Sequence, residues 1–416
     1  MAKVRTKEPF RGQGVMQWTI PEDALPVDHK ARLLWRMVDG LDLSAFTADA
    51  KAIEGQQGRP VTSVRVLLTL WLYAISLGIG SAREIARLTK SDTAFRWIVG
   101  DLSVSHDVIN EFRASRAEAL DRLFTDVLAT LIHKGLVSLD LVAQDGTRVR
   151  AGASSSSFRR LPALEACREQ ARLHLRVVLA EQDDPETSDA VKTARLRAAR
   201  DYQRRVDEAI ATVKELQEAM GPGHKKKKDE VRASTTDADA RLMRMGDGGY
   251  HPAFNIQMAT AGSPLGGPHT IVGVQVTNVG SDISSVTPML EQIRARTGKL
   301  PKTLLADANH ADHACLARCA ELGVEALIPV PARSKNPGPR GHHDPVSTAW
   351  RARMETEAAK KTFRARPSLC ELPNAHLKQH HGVTQFLVRG LGKVTCVAML
   401  AALAANLLQH ATRLLA

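Results

Sequence analysis

Leu136-Val137-Ser138-Leu139-Asp140-Leu141-Val142-Ala143-Gln144-Asp145-Gly146-Thr147 is the stretch on which the fold turns. Its apolar residues run nearly without interruption from Leu136 to Ala143 instead of alternating, the pattern of a strand buried on both faces. Such a strand belongs to an α/β sheet covered by helices on both sides. It is expected to end on Asp145, and function in α/β sheets gathers beyond the carboxyl ends of the strands.

Downstream, Ser154–Ser157 marks a loop and residues 162–220 return to helix. Tyr202, Val206, Ile210, Val213, Leu216 and Met220 recur at steps of three and four, and Asp183-Asp184-Pro185 supplies a turn for an antiparallel helical hairpin. Gly221-Pro222-Gly223 ends it, and Lys225–Lys228 forms a cationic loop, either simply solvated or in contact with phosphate. From Phe254 the pattern is strand-like again: Phe254–Met258 alternates and Thr270–Val276 is β-branched. A helix follows, capped by Asp282 or Ser284, with Val286, Met289, Leu290 and Ile293 inward. Thr303–Ala306 reads as a buried strand ending on Asp307. The next helix, about Asp312–Leu322, leads to the strand Ala326–Val330, and Pro331–Pro345 reads as a surface loop. The chain is expected to be helical from about Leu369 to the apolar run Val394–Leu408.

Upstream, residues 1 to about 135 read as helical. A long apolar helix spans about Ser63–Leu77, and Ser81-Ala82-Arg83-Glu84 is a capping box, in which Ser and Glu satisfy orphan amides reciprocally. Asp92 can cap another helix, and Ser105 opens a long one running to Leu131 before Gly135. Several short helices in a basic context suit a DNA-binding module.

The 416 residues are 44% hydrophobic and 25% charged, which suits a globular protein of two or three domains. The net charge of +12 favours a polyanionic partner, because neutralised phosphates release condensed counterions. Five scattered cysteines (Cys167, Cys315, Cys319, Cys370, Cys396) form no CxxC pair, so reduced thiols in the cytoplasm are expected. No export signal is visible. The apolar runs Val66–Ile79 and Val394–Leu408 fall short of the roughly 20 residues a membrane span needs and read as core helices.

Three acids occupy telling places: Asp145 and Asp307 at strand ends, and Glu371 on the final helix. Adjacent strands would bring the two aspartates together, and Glu371 could approach from a flanking helix. Such a cluster repels itself unless cations lie between the oxygens, and hard oxygen ligands select Mg²⁺ or Mn²⁺. Two such ions, about 4 Å apart, suit an in-line phosphoryl displacement.

Several motifs, in order, now carry a resemblance. They are Gly58-Arg59-Pro60, Ser81–Leu88, Phe95–Gly100, Ile109–Arg113, Asp145–Ala151, Asp237–Gln257, Leu305–Ala308, Phe363–Arg366, Glu371, Lys378 and Phe386–Val394. Together they resemble bacterial insertion-sequence transposases of the DDE type, in the IS-five-like superfamily and nearest its IS-eleven-eighty-two group. The resemblance implies an α/β, ribonuclease-H-like mixed sheet with a helical N-terminal DNA-binding module (1–135), a catalytic domain (136–416) and a helical insertion at about 154–235. It implies that Asp145, Asp307 and Glu371 bind two Mg²⁺ or Mn²⁺ ions and catalyse cleavage at transposon ends and strand transfer into target DNA. Lys378, Arg364, Arg366, Arg148 and Arg150 become DNA contacts. The partners implied are double-stranded DNA (terminal inverted repeats and target) and further copies of the chain, with no membrane, in the bacterial cytoplasm at the nucleoid. Phe363 stands where a Tyr is usual, Asn309-His310 replaces Gly and an aromatic residue, and Leu372-Pro373 displaces a Pro that normally follows the Glu.

Other polar residues carry blander expectations. His376 and His380, four apart, are read as a basic face near DNA; His310 as packing behind the acids or at the surface; Cys315 and Cys319 as helix packing. A non-catalytic DNA-binding descendant and a same-fold nuclease that never joins strands are the rival readings.

Overall fold

The computed structural model describes residues 20–48, 61–100, 102–183, 187–220, 228–263, 266–330 and 344–415. The N-terminal part is helical: α1 (Lys30–Asp39), α2 (Val64–Ser76), α3 (Ala82–Ser91), α4 (Thr93–Val99), α5 (His106–Ala114) and α6 (Ala117–His133). Helix starts follow their caps. Asp92 Oδ1 accepts from the amides of Ala94 and Phe95. Ser81 Oγ accepts from Glu84 N, but the Glu84 carboxylate turns to Arg87, so only half of the capping box closes. The single helix expected from Ser105 is two, broken at Ser115-Arg116. No Gly or Pro marks the break. Tertiary packing makes it: Arg113 donates back to Gly80 O and stacks on Trp71, holding α5 to the N-terminal helices, while α6 packs on the helices Val286–Thr297 and Leu391–Leu415.

The sheet is built from β1 (Leu141–Arg150), β4 (Arg241–Arg244), β5 (Tyr250–Ala261), β6 (Thr270–Thr277), β7 (Thr303–Leu305) and β8 (Glu325–Leu327), after the short β2 (Phe158–Arg160) and β3 (Arg232–Ser234). β5 lies antiparallel to β1, while β4 and β6 take successive lengths of its other edge. On the far side of β1, β7 and then β8 run parallel to it. This is the expected mixed, ribonuclease-H-like sheet, three antiparallel strands followed by two parallel ones. Helix α9 (Val286–Thr297) precedes β7, and α10 (His313–Glu321) links β7 to β8. Cys315 and Cys319 are buried on α10, as expected of packing residues.

One correction bears on function. Asp145 is not at a strand end: β1 continues through it to Arg150, paired with β5 throughout. What stops there is the parallel partner, since pairing with β7 ends at Ala143↔Leu305. The apolar run suggested an end because the rest of β1 alternates, Thr147 and Val149 being buried while Arg148 and Arg150 face outward.

The insertion is the expected helical hairpin. β2 and β3 pair at its base, and α7 (Leu161–Ala180) packs on α8 (Asp189–Ala219) through Leu164, Cys167, Val206, Ile210 and Val213. Asp184, Pro185 and Lys225–Lys227 lie outside the described residues, as do residues 331–343 of the expected Pro-rich loop.

The C-terminal part comprises α11 (Pro345–Glu355), α12 (Glu357–Phe363), a π-helical turn (Pro367–Glu371), α13 (Leu372–Gln379) and α14 (Leu391–Leu415). The helix expected to run on from Leu369 is therefore interrupted. Gly382 and Gly390 take left-handed φ of 67° and 89°, and Gly382 packs against the Gly78 carbonyl, where a Cβ would collide. Between them, Phe386 N donates to Arg150 O at 2.8 Å, tying the crossing segment to the end of β1. Helix α14 is apolar and long enough to cross a membrane, yet most of it is buried in the protein. It packs on α1, α2, α5 and α6 and also on β6, so N-terminal helices and sheet share one core. The side-chain amides of Asn406 on α14 and Gln292 on α9 pair with the backbones of Ile271 and Val274, satisfying the groups that β6 leaves open.

Candidate active site

Asp145 and Asp307 meet because their strands are neighbours. Extending the β1–β7 register two residues past Ala143↔Leu305 sets Asp145 opposite Asp307, which lies one residue beyond the end of β7, after Ala306. Side chains alternate along β1, so Asp145 shares a face with Leu141 and Ala143, which pack against Leu369 and Cys370 of the π-turn. That turn presents Glu371. Its geometry has a local cause: Pro373 has no N–H for the Leu369 carbonyl and its ring crowds it, and the helix widens so that Leu372 N donates to Pro367 O instead.

Arg366 ties the acids together. Its guanidinium, only 12% exposed, donates to Asp145 Oδ1 at 3.0 Å and to Glu371 Oε1 at 3.2 Å. Given the width of the fork, those two carboxylates stand within about 9 Å. Asn374, one turn beyond Glu371, donates to Asp145 Oδ2 at 3.1 Å. Asp307 accepts from its own turn: Oδ1 from Asn309 N at 3.0 Å and Oδ2 from Asn309 Nδ2 at 3.0 Å, with His310 Nδ1 2.6 Å from Oδ1.

The two aspartates differ electrostatically. Burial pushes the Asp145 carboxyl above its ordinary value; the Arg366 charge opposes this and Asp307 adds to it. Burial also acts on Asp307, but the hydrogen bond and charge of His310, with Arg366 and Asn309, hold it below the usual value. Lys378 lies close enough to feel Asp145. Burial lowers its ammonium from the ordinary lysine range, against the pull of that carboxylate.

Among the described residues, no three His, Cys, Asp or Glu side chains are gathered as a ready metal site. The donor set nevertheless fits a hard divalent cation: carboxylate oxygens only, those of Asp145 half-buried, beside the guanidinium of Arg366.

The structure thus brings together Asp145, Asp307, Glu371 and Arg366, with Lys378 nearby. Arg364 lies exposed beyond α12. Arg148 and Arg150 project from the opposite face of β1. Arg148 donates to Arg244 O and Gly280 O, both at 2.7 Å, and Arg150 pairs with Asp247. His376 and His380 are exposed on α13 with their rings 5.0 Å apart. His310, in contrast, is fully buried. Asn374 escaped the sequence reading, although its place three residues after Glu371 sets both on one helix face.

Two comparisons bear on this geometry. Residues 20–115 match the family described as Transposase domain (DUF772), and residues 229–407 match the Transposase DDE domain. No curated protein and no solved structure matches the chain. The two domains, in this order, support a DDE transposase, a family that acts on DNA and generally uses divalent metal ions. Asp307 and Glu371 fall within the second match, and Asp145 in the stretch between the two.

Proposed function

We propose that the chain cleaves DNA at transposon ends and joins the freed strand to target DNA, with Asp145, Asp307 and Glu371 as its metal-binding acids. The observation that carries this reading is the pairing of two aspartates on adjacent parallel strands with a glutamate bound to the same guanidinium. Two Mg²⁺ or Mn²⁺ ions, when bound, would supply charge for the attacking and leaving oxygens. The first reaction breaks the phosphorus–3′-oxygen bond as water adds to phosphorus. In the second, the 3′ hydroxyl forms the new bond to a target phosphorus and another 3′ oxygen leaves.

The chain's own residues position the strand. Lys378, half-buried beside Asp145, meets a phosphate next to the acids. Arg366, released from Asp145 and Glu371, and Arg364 from the turn before it, line the same approach, and most of the catalysis is positioning and charge neutralisation. Residues 1–135 would grip the terminal repeats, residues 136–416 would do the chemistry, and the insertion at about 154–235 would stand apart from both. The working form would be a homo-oligomer on DNA at the bacterial nucleoid, of the IS-eleven-eighty-two kind.

The test compares wild type with Asp145→Asn and Asp307→Asn on a duplex carrying the terminal repeat, with Mg²⁺ or Mn²⁺. Both variants should lose cleavage and joining while retaining DNA affinity, because a neutral amide is a poor ligand for a hard cation. Wild-type-like cleavage by either would place the chemistry elsewhere. Cleavage without joining in wild type would make the protein a nuclease, and binding without cleavage a DNA-binding descendant.

A further inference from the structure

A chain of polar side chains crosses the sheet behind Asp307. His310, fully buried, sits on the turn Ala308–His310 that follows Asp307. Its Nδ1 is 2.6 Å from Asp307 Oδ1 and its Nε2 3.3 Å from Gln257 Oε1. Gln257, also buried, lies on β5 opposite Gly146. Its Nε2 donates to Asp282 Oδ1 at 2.6 Å, and its Oε1 accepts from Gln144 Nε2 at 3.2 Å. Asn255 Nδ2 donates to the same Asp282 oxygen at 2.8 Å.

The direction of this chain is set at its far end. A carboxylate only accepts, so Asp282 draws the amide NH₂ of Gln257 to itself and turns the amide oxygen towards His310. Turning the amide over would set its oxygen against Asp282 and its NH₂ against that of Gln144. A carbonyl oxygen also only accepts, so it pairs with a ring nitrogen that donates, and the ring spans the distance from Gln257 to Asp307. The ring is thereby held at both ends. Gly146 makes the room: a Cβ there would collide with Gln257 Nε2 and lie 2.5 Å from Asp282 Oδ1. The loop carrying Asp282 is fastened to the start of α10, just past that turn, because Ser284 N donates to the N-cap residue Asp312 through its Oδ2 at 3.2 Å. Ser284 holds a left-handed φ of 67°, a conformation a non-glycine residue keeps only when its surroundings enforce it.

We propose that Gln257 and Asp282 are positioning residues for Asp307: they fix the His310 ring, and His310 fixes the carboxylate in the orientation that receives a divalent cation. This rests on Asp307 being a metal ligand. Partners behind a ligand typically change metal affinity 10- to 100-fold.

The experiment measures Mn²⁺ affinity of the DNA-free full chain by calorimetry, beside its thermal midpoint, for wild type, Gln257→Leu, Asp282→Asn, Asp307→Asn and the double variant Gln257→Leu/Asp307→Asn. Gln257→Leu should weaken Mn²⁺ binding about 10-fold or more, and Asp282→Asn in the same direction. In the Asp307→Asn background, Gln257→Leu should add nothing to the loss, since the carboxylate it orients is gone. A general structural effect would persist in that background. Mn²⁺ affinity within twofold of wild type in folded Gln257→Leu, or the same loss with and without Asp307, overturns the proposal. If Gln257→Leu does not fold, Asp282→Asn decides by the same criterion. Unchanged affinity in Asp307→Asn would instead bring down the metal-binding reading on which the proposal stands.

Discussion

Gly146→Ala offers a sharp test of the packing behind the acids, because one methyl group meets three polar atoms. The new Cβ would collide with Gln257 Nε2 and sit 2.5 Å from Asp282 Oδ1 and 3.0 Å from Asn255 Oδ1. Gly146 is paired with Gln257 within β1–β5, so the backbone cannot retreat without breaking the ladder that carries Asp145. Overpacking of this kind costs about 1–3 kcal/mol. Displacing the Gln257–Asp282 hydrogen bond, which involves a charged acceptor, adds about 1.5–3 kcal/mol. Alanine is better than glycine within a regular element by roughly 0.5–1 kcal/mol, which is too little to reverse the sign. The net loss is about 2–5 kcal/mol, and at roughly 1 °C per kcal/mol for a chain of this length the melting midpoint falls by about 2–5 °C. Differential scanning calorimetry of the metal-free protein reads this directly. A midpoint equal to or above that of wild type would show that the polar cluster does not fill the space above Gly146.

Two further outcomes follow from the electrostatics. Burial holds the Asp145 carboxyl above its ordinary value, so its ionised form destabilises the folded chain; that cost is full above the folded pKa and vanishes below the ordinary value of about 3.9. Asp145→Asn should therefore raise the melting midpoint of the metal-free protein at pH 7, with the gain shrinking as pH falls towards 4; a lower midpoint at pH 7 would contradict this. Lys378→Ala should reduce the salt slope of log DNA affinity by about one and lower cleavage more than binding, the mark of a phosphate contact beside the acids. Unchanged slope and cleavage would remove Lys378 from the site.

Much of this was legible in the sequence, for identifiable reasons. The apolar run before Asp145 and the short run before Asp307 read as strands because both are buried from two sides. Their adjacency follows once β7 is seen to run parallel to β1. The continuation of β1 was hidden, because Thr147–Arg150 alternates and depends on a partner more than a hundred residues away. Pro373 was visible, but the π-turn it imposes before Glu371 depends on how Leu369 and Cys370 pack under β1. The chain Asp282–Gln257–His310 left no local signal at all: Asp282 passed for a helix cap, and the three residues meet only when β5, the loop before α9 and the turn after Asp307 are assembled. The ion pairs of Arg366 with Asp145 and Glu371 left no signal either, because Asp145 lies more than two hundred residues away in the chain.

The central claim is that Asp145, Asp307 and Glu371 hold divalent cations, and anomalous diffraction from crystals soaked in Mn²⁺ tests it most directly. The account predicts a manganese peak between Asp145 and Asp307 at about 2.1–2.2 Å from carboxylate oxygens, with Arg366 displaced from Asp145. A peak bound elsewhere, or none while Arg366 still bridges Asp145 and Glu371 at saturating Mn²⁺, would contradict it.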